Sequence, residues 1–135
     1  VEGSTYLVDF DLTRYKHFTL LDMVELCRPL RSFDTRESAG WIELLRATDY
    51  AQHPIGELSK GVTKKVSLLM GLMATSSVLL VDEPFESVDA ETNANLIRSL
   101  RAMERGAVIV SHDMAMLEAC VDVIYRVQDR ALVQT

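Results

Sequence analysis

The chain has 135 residues, 48% of them hydrophobic and 25% charged, which suits one hydrophobic core in a globular domain and excludes a disordered or fibrous chain. Its net charge of -6 argues against broad nucleic-acid binding, which rewards clustered Lys and Arg; the basic group Lys60, Lys64 and Lys65 is too small to reverse that balance. No apolar segment resembles a signal peptide, and the most apolar tract, 66–81, is interrupted by Ser67, Gly71, Thr75, Ser76 and Ser77, short of the roughly 20 uninterrupted residues that span a bilayer.

Taken from the N-terminus, residues 5–8 predict a short strand, while 9–17 have no clear period and predict a loop. From Thr19 a helical stripe sets Leu20, Val24 and Cys27 on one face, with Leu21 beside them, until Pro29 ends it. A second stripe of Trp41, Leu44, Leu45 and Thr48 predicts a helix capped by Asp34 or Thr35, with Glu37 in its first turn. These two helices form a small helical layer, and 50–57, with Pro54 and Gly56, is its exit loop. Ser59 stands at the N-cap of a buried helix that carries Val62, Val66, Leu69, Met70 and Met73. The continuous run 78–81 predicts a strand covered on both faces, as in a parallel sheet. Asp89 caps a further helix with Leu96, Ile97, Leu100 and Met103, 107–110 is the next buried strand, and Met114, Leu117 and Val121 mark one more helix. Residues 123–127 and 131–133 close the chain as a hairpin.

Strand and helix alternate from Val78 onward, so the expected fold class is α/β: a mostly parallel sheet with right-handed crossovers, flanking helices and the small helical subdomain. Three parts follow: 1–18, a strand and loop; 19–76, the helical subdomain and the helix after Ser59; and 77–135, the α/β part. Cys27 and Cys120 lack the spacing of a zinc site or a disulfide framework and read as idle thiols of a reducing compartment. A chain that opens on Val1 rather than Met reads as a segment of something longer.

Ligands of such sheets gather beyond the carboxyl ends of the strands, which is where Asp82, Glu83 and His112 fall. Two carboxylates leaving an apolar strand suit a hard cation such as Mg²⁺ carried by nucleotide phosphates, and equally read as a strand end followed by a solvated acidic turn. Ser59, Lys60 and Gly61, at the head of a buried helix, offer free backbone N–H groups to an anion, although a Ser in that position is commonly a cap and nothing more. Imidazole at the ligand edge can contact a phosphate and orient water, although a lone His is commonly structural.

Leu58-Ser59-Lys60-Gly61-Val62, then 78–81 followed by Asp82-Glu83-Pro84, then Asp89, then Ser111-His112-Asp113 together resemble, in order and spacing, the second half of an ATP-binding cassette (ABC) ATPase. The resemblance covers about 5–133 and is most specific over 56–113. It implies a partial P-loop NTPase fold and an ATPase subunit of a transporter whose cofactors are ATP and Mg²⁺. Ser59, Lys60 and Gly61 would match the signature that closes on the nucleotide of a second subunit, Asp82 the Walker B aspartate at Mg²⁺, and Glu83 the general base. Asp89 would match the D-loop aspartate and His112 the switch histidine. Implied partners are a transmembrane permease subunit and a second nucleotide-binding domain, and the implied place is the cytoplasmic face of a membrane. Lys60 and Val62 depart from the commonest signature in a way that looks exporter-like, 86–89 is a variant D-loop, and no Gln stands near Asp9-Phe10-Asp11, where the Q-loop is expected. No GxxxxGK[ST] phosphate loop occurs in the 135 residues, so the chain by itself is expected to lack ATPase activity. A non-catalytic half-cassette and a fragment of a soluble translation factor built of tandem cassettes are the alternative readings.

Overall fold

A computed structural model describes residues 3–135. At its centre three parallel strands run in the order β1 (Thr5–Leu7), β2 (Val78–Asp82) and β3 (Gly106–Val110). Tyr6 pairs with Leu79 and Leu79 with Ala107, so these side chains share one face, while Leu7, Leu80 and Val108 share the other.

Between β1 and β2 lie α1 (Leu20–Cys27), α2 (Ser38–Leu44) and α3 (Lys60–Met73), with single 3-10 turns at Thr13–Tyr15, Thr48–Tyr50 and Ile55–Glu57. A reciprocal cap starts α1: the Thr19 hydroxyl accepts from Asp22 N at 3.1 Å and the Asp22 carboxylate accepts from Thr19 N at 2.8 Å. The Ser59 hydroxyl caps α3 by accepting from Val62 N at 3.3 Å, and Val66, Leu69 and Met73 on that helix are completely buried. Asp89 caps α4 (Ala90–Ala102) and Asp113 caps α5 (Met114–Cys120), each through its carboxylate. The chain closes in a hairpin of β4 (Tyr125–Gln128) and β5 (Ala131–Gln134), turned by Asp129 and Arg130, both with positive φ as a two-residue type I′ turn requires. Cys27 and Cys120 are free and buried.

Two expectations are corrected. The N-cap of α2 is Glu37, with no side-chain cap bond; Asp34 is drawn away because its carboxylate binds Arg36 and its N–H donates to Met73 O at 2.7 Å, tying it to the end of α3. Thr48 consequently falls in a 3-10 turn beyond that helix. The strands, moreover, are covered on one face only. Leu79 and Val81 join the helices in a single core, whereas Leu7 (63%), Val108 (55%) and Val110 (57%) remain exposed on the other face. An apolar run of β-branched residues does not reveal whether its second cover lies in the same chain. Along the free edge of β3 an apolar cleft of about 900 Å³ opens, lined by Val108, Val110, Leu117, Tyr125 and Leu132.

Candidate functional site

At the carboxyl end of β2 the chain must leave the sheet, and it does so at Glu83, whose φ of 48° lies in the left-handed region that non-glycine residues seldom occupy. Its N–H donates to Val110 O at 2.7 Å, which aims the carboxylate at the segment that follows β3. There it is held three ways: Ser111 Oγ donates to Oε2 at 3.0 Å, His112 N donates to Oε1 at 3.0 Å, and His112 Nδ1 lies 2.9 Å from Oε1. With the carboxylate ionised, Nδ1 carries the proton and Nε2 remains an acceptor on an imidazole that is 78% exposed.

These contacts shift both groups. Partial burial raises the pKa of Glu83, but the hydrogen bonds from His112 and Ser111 outweigh it and hold the carboxyl below its ordinary value. The imidazole of His112 is raised, first by its hydrogen bond to Glu83 and then by that carboxylate's charge.

Asp82 is exposed on the open face, opposite Val110 in the register. Among the described residues no three His, Cys, Asp or Glu side chains gather as a metal site. A cation at Asp82 would therefore take its remaining donors from phosphate and water. The residues present fit Mg-nucleotide only in part: they offer an acid, a base and a helix N-terminus, and no phosphate loop.

The structure brings Asp82, Glu83 and His112 to one edge of the sheet. Ser59, Lys60 and Gly61 lie elsewhere, against the turn that follows Glu83. A Cβ on Gly61 would sit 2.3 Å from the Ser87 carbonyl oxygen, so close approach of the chain's own backbone already requires a glycine there. Asp89 is engaged structurally: besides capping α4 it pairs with Lys65 Nζ at 2.7 Å and Arg46 Nη1 at 3.5 Å. Burial raises its pKa, and the bonds from Lys65 and Thr92 more than offset that, keeping it ionised.

Lys64 and Lys65 were not singled out as site residues in the sequence, yet both are only 6% exposed. Lys64 Nζ donates to the carbonyls of Glu83 and, at 2.9 Å, Glu86, and lies 4.9 Å from the centroid of the Phe10 ring. The available signal was spacing: Gly61, Lys64 and Lys65 stand at i, i+3 and i+4, one face of the helix.

Comparison with known proteins bears on the fold. No protein-family model matches the chain. It is 33% identical over 115 residues to the lipoprotein-releasing system ATP-binding protein LolD of Koribacter versatilis, covering 79% of this chain and 52% of that protein. Over 84 residues it is 32% identical to the mouse ABC-type organic anion transporter ABCA8B, covering 59% of this chain and 5% of that protein. The sulfate/thiosulfate import ATP-binding protein CysA of Photorhabdus laumondii is 29% identical over 111 residues, 73% of this chain and 31% of its own length. Among solved structures, a dimeric ATP-binding cassette in a post-hydrolysis state with ADP and Pi superimposes with a TM-score of 0.71 at 21% identity, covering 87% of this chain and 56% of that one. The fold is therefore that of the P-loop NTPases in their ABC ATPase form. The chain matches the C-terminal part of such a cassette and spans about half or less of the length of these relatives.

Proposed function

We propose that the chain supplies the general-base and signature faces of an ATP-hydrolysing ABC subunit, for a nucleotide whose phosphate loop lies outside these 135 residues. The observation that carries this reading is the carboxylate of Glu83, gripped by Ser111 and His112 beside Asp82 at the ligand edge of the sheet. Glu83 would accept a proton from water, His112 in its imidazolium form would donate Nε2–H to a phosphate, and Asp82 would hold Mg²⁺ through water. Ser59, Lys60 and Gly61 would meet the nucleotide of a second cassette in a head-to-tail dimer, with Asp89 holding the intervening turn. A permease subunit at the cytoplasmic face of a membrane would complete the transporter. No helix among the described residues is long and apolar enough to cross the membrane itself. Matches to both import and lipoprotein-releasing proteins leave the exporter-like direction resting on Lys60 and Val62 alone.

The test is a cassette completed by joining this chain to a half that bears a GxxxxGK[ST] loop. Turnover of Mg-ATP is expected, with Glu83→Gln and His112→Ala each lowering it by about 10²-fold or more. A completed cassette that hydrolyses ATP equally well with Glu83→Gln, or the unjoined chain turning over Mg-ATP by itself, overturns the proposal. The second reading, a non-catalytic half-cassette, is favoured by the lack of a Q-loop Gln near Asp9-Phe10-Asp11; a completed cassette that binds ATP without turnover would establish it.

A further inference from the structure

We infer that Lys64 is a positioning residue: from inside α3 it fixes the backbone of Glu83 and so links the helix start at 59–61 rigidly to the pair formed by Glu83 and His112. An ammonium group removed from water is costly unless its donors are satisfied, and a Lys on a helix ordinarily extends its tip to solvent. Lys64 does not. It is 6% exposed, its ammonium donates to the Glu83 and Glu86 carbonyls, and the Phe10 ring covers it. Burial lowers its pKa, while Glu86, Glu83 and Asp82 favour its charge and Lys60 opposes it.

The segment it grips needs holding. Glu83 and Ser87 have φ of 48° and 62°, so two non-glycine residues within five occupy the left-handed region. Such conformations persist only where surrounding structure over-determines them. Lys64 bonds the carbonyl of the first and that of the residue before the second. On the same face of α3, Gly61 leaves room for the Ser87 carbonyl and Lys65 binds Asp89. Little more than one turn of one helix thus grips 83–89 from end to end, and a displacement of the helix start moves the base with it. The consequence for catalysis rests on the function proposed above; the clamp itself does not.

The experiment is NMR on the 135-residue chain, with no activity readout, so failure of the clamp and failure of the ATPase reading are separable. In the wild type, the Lys64 ammonium should show slowly exchanging protons with scalar coupling across hydrogen bonds to the Glu83 and Glu86 carbonyl carbons. In Lys64→Met, amide exchange of Glu83 and His112 should accelerate by about tenfold relative to core amides, and His112 should lose its Nδ1–H tautomer. Lys64→Arg should restore both. Arg105→Met, which removes another cation bound to backbone carbonyls at the far end of α3, should leave Glu83 and His112 unchanged. Unchanged Glu83 and His112 signals in folded Lys64→Met, or equal changes in Arg105→Met, overturn the inference. If Lys64→Met does not fold, the wild-type couplings decide, and their absence overturns it.

Discussion

Replacing Gly61 by Ala separates two reasons for a glycine at the head of α3: access for a phosphate, or room for the protein's own turn. The added Cβ would lie 2.3 Å from the Ser87 carbonyl oxygen, about 1 Å inside ordinary contact, and the obstacle is backbone rather than a movable side-chain tip. Ser87 is itself held in the left-handed region, and the adjoining Glu86 carbonyl is bound by Lys64, so the turn cannot retreat without loosening that bond. Overpacking of this kind costs about 1–3 kcal/mol, against at most about 1 kcal/mol gained from the higher helix propensity of Ala. Because the obstacle is anchored backbone, the upper part of that range, about 2–3 kcal/mol, applies, and a net loss of about 1–2 kcal/mol follows, which for a chain of this size lowers the midpoint of thermal unfolding by about 4–8 °C. Gly71→Ala is the comparison: its Cβ would meet Val8 Cγ2 at 2.7 Å and Leu79 Cδ1 at 3.4 Å, a less severe approach than 2.3 Å to backbone but against a buried, stiff β-branched side chain, so a loss should appear there too and be the smaller of the two. Urea and thermal unfolding followed by circular dichroism measure both. A Gly61→Ala chain as stable as the wild type would refute the steric argument and return Gly61 to ligand access alone.

Arg105 donates to the carbonyls of Gly71 and Ala74 and to Ser76 Oγ at 3.1 Å, closing the end of α3 onto β3, so Arg105→Met should cost about 2–3 kcal/mol in urea unfolding. His112 should titrate by NMR above its ordinary value of 6.5, and Glu83→Gln should bring it down. In sign, the raised His112 stabilises the fold fully below pH 6.5 and ceases to as pH rises through its folded value; the lowered Glu83 contributes above its ordinary value and ceases to as pH falls through its folded one. Stability without nucleotide should therefore decline on both sides of mildly acidic pH. The open sheet face should drive concentration-dependent self-association in sedimentation velocity, suppressed by joint Val108→Lys and Val110→Lys; a monomer at high concentration without those changes would contradict it.

Local signals in the sequence were sufficient wherever a single segment contains its own reason. Ser59, Asp89 and Thr19 begin helices because their side chains satisfy N–H groups three residues on, and such a partner is visible in the one-dimensional pattern. The strands β2 and β3 follow from their β-branched runs, and the order of the acidic pair and His112 places both at one edge. Whatever depends on distant partners was not legible. Asp34 looked like a cap and is instead tied to Arg36 and the end of α3. Lys64 and Lys65 looked like a surface basic cluster, because nothing local shows that the carbonyls of Glu83 and Glu86 and the carboxylate of Asp89 are waiting for them. The bare face of the sheet is not legible in β3 itself, because an apolar run does not show what covers its second side.

The parallel pairing of β1 with β2 carries a kinetic consequence. Thr5 meets Val78 across a loop of about 70 residues, whereas Val78 meets Gly106 across fewer than 30, so docking the N-terminal strand costs roughly 0.8 kcal/mol more in closure entropy for three paired residues instead of five. Among the described strands β1 is thus the last to join the sheet and the first to peel from it, waiting until all three helices between it and β2 have been made.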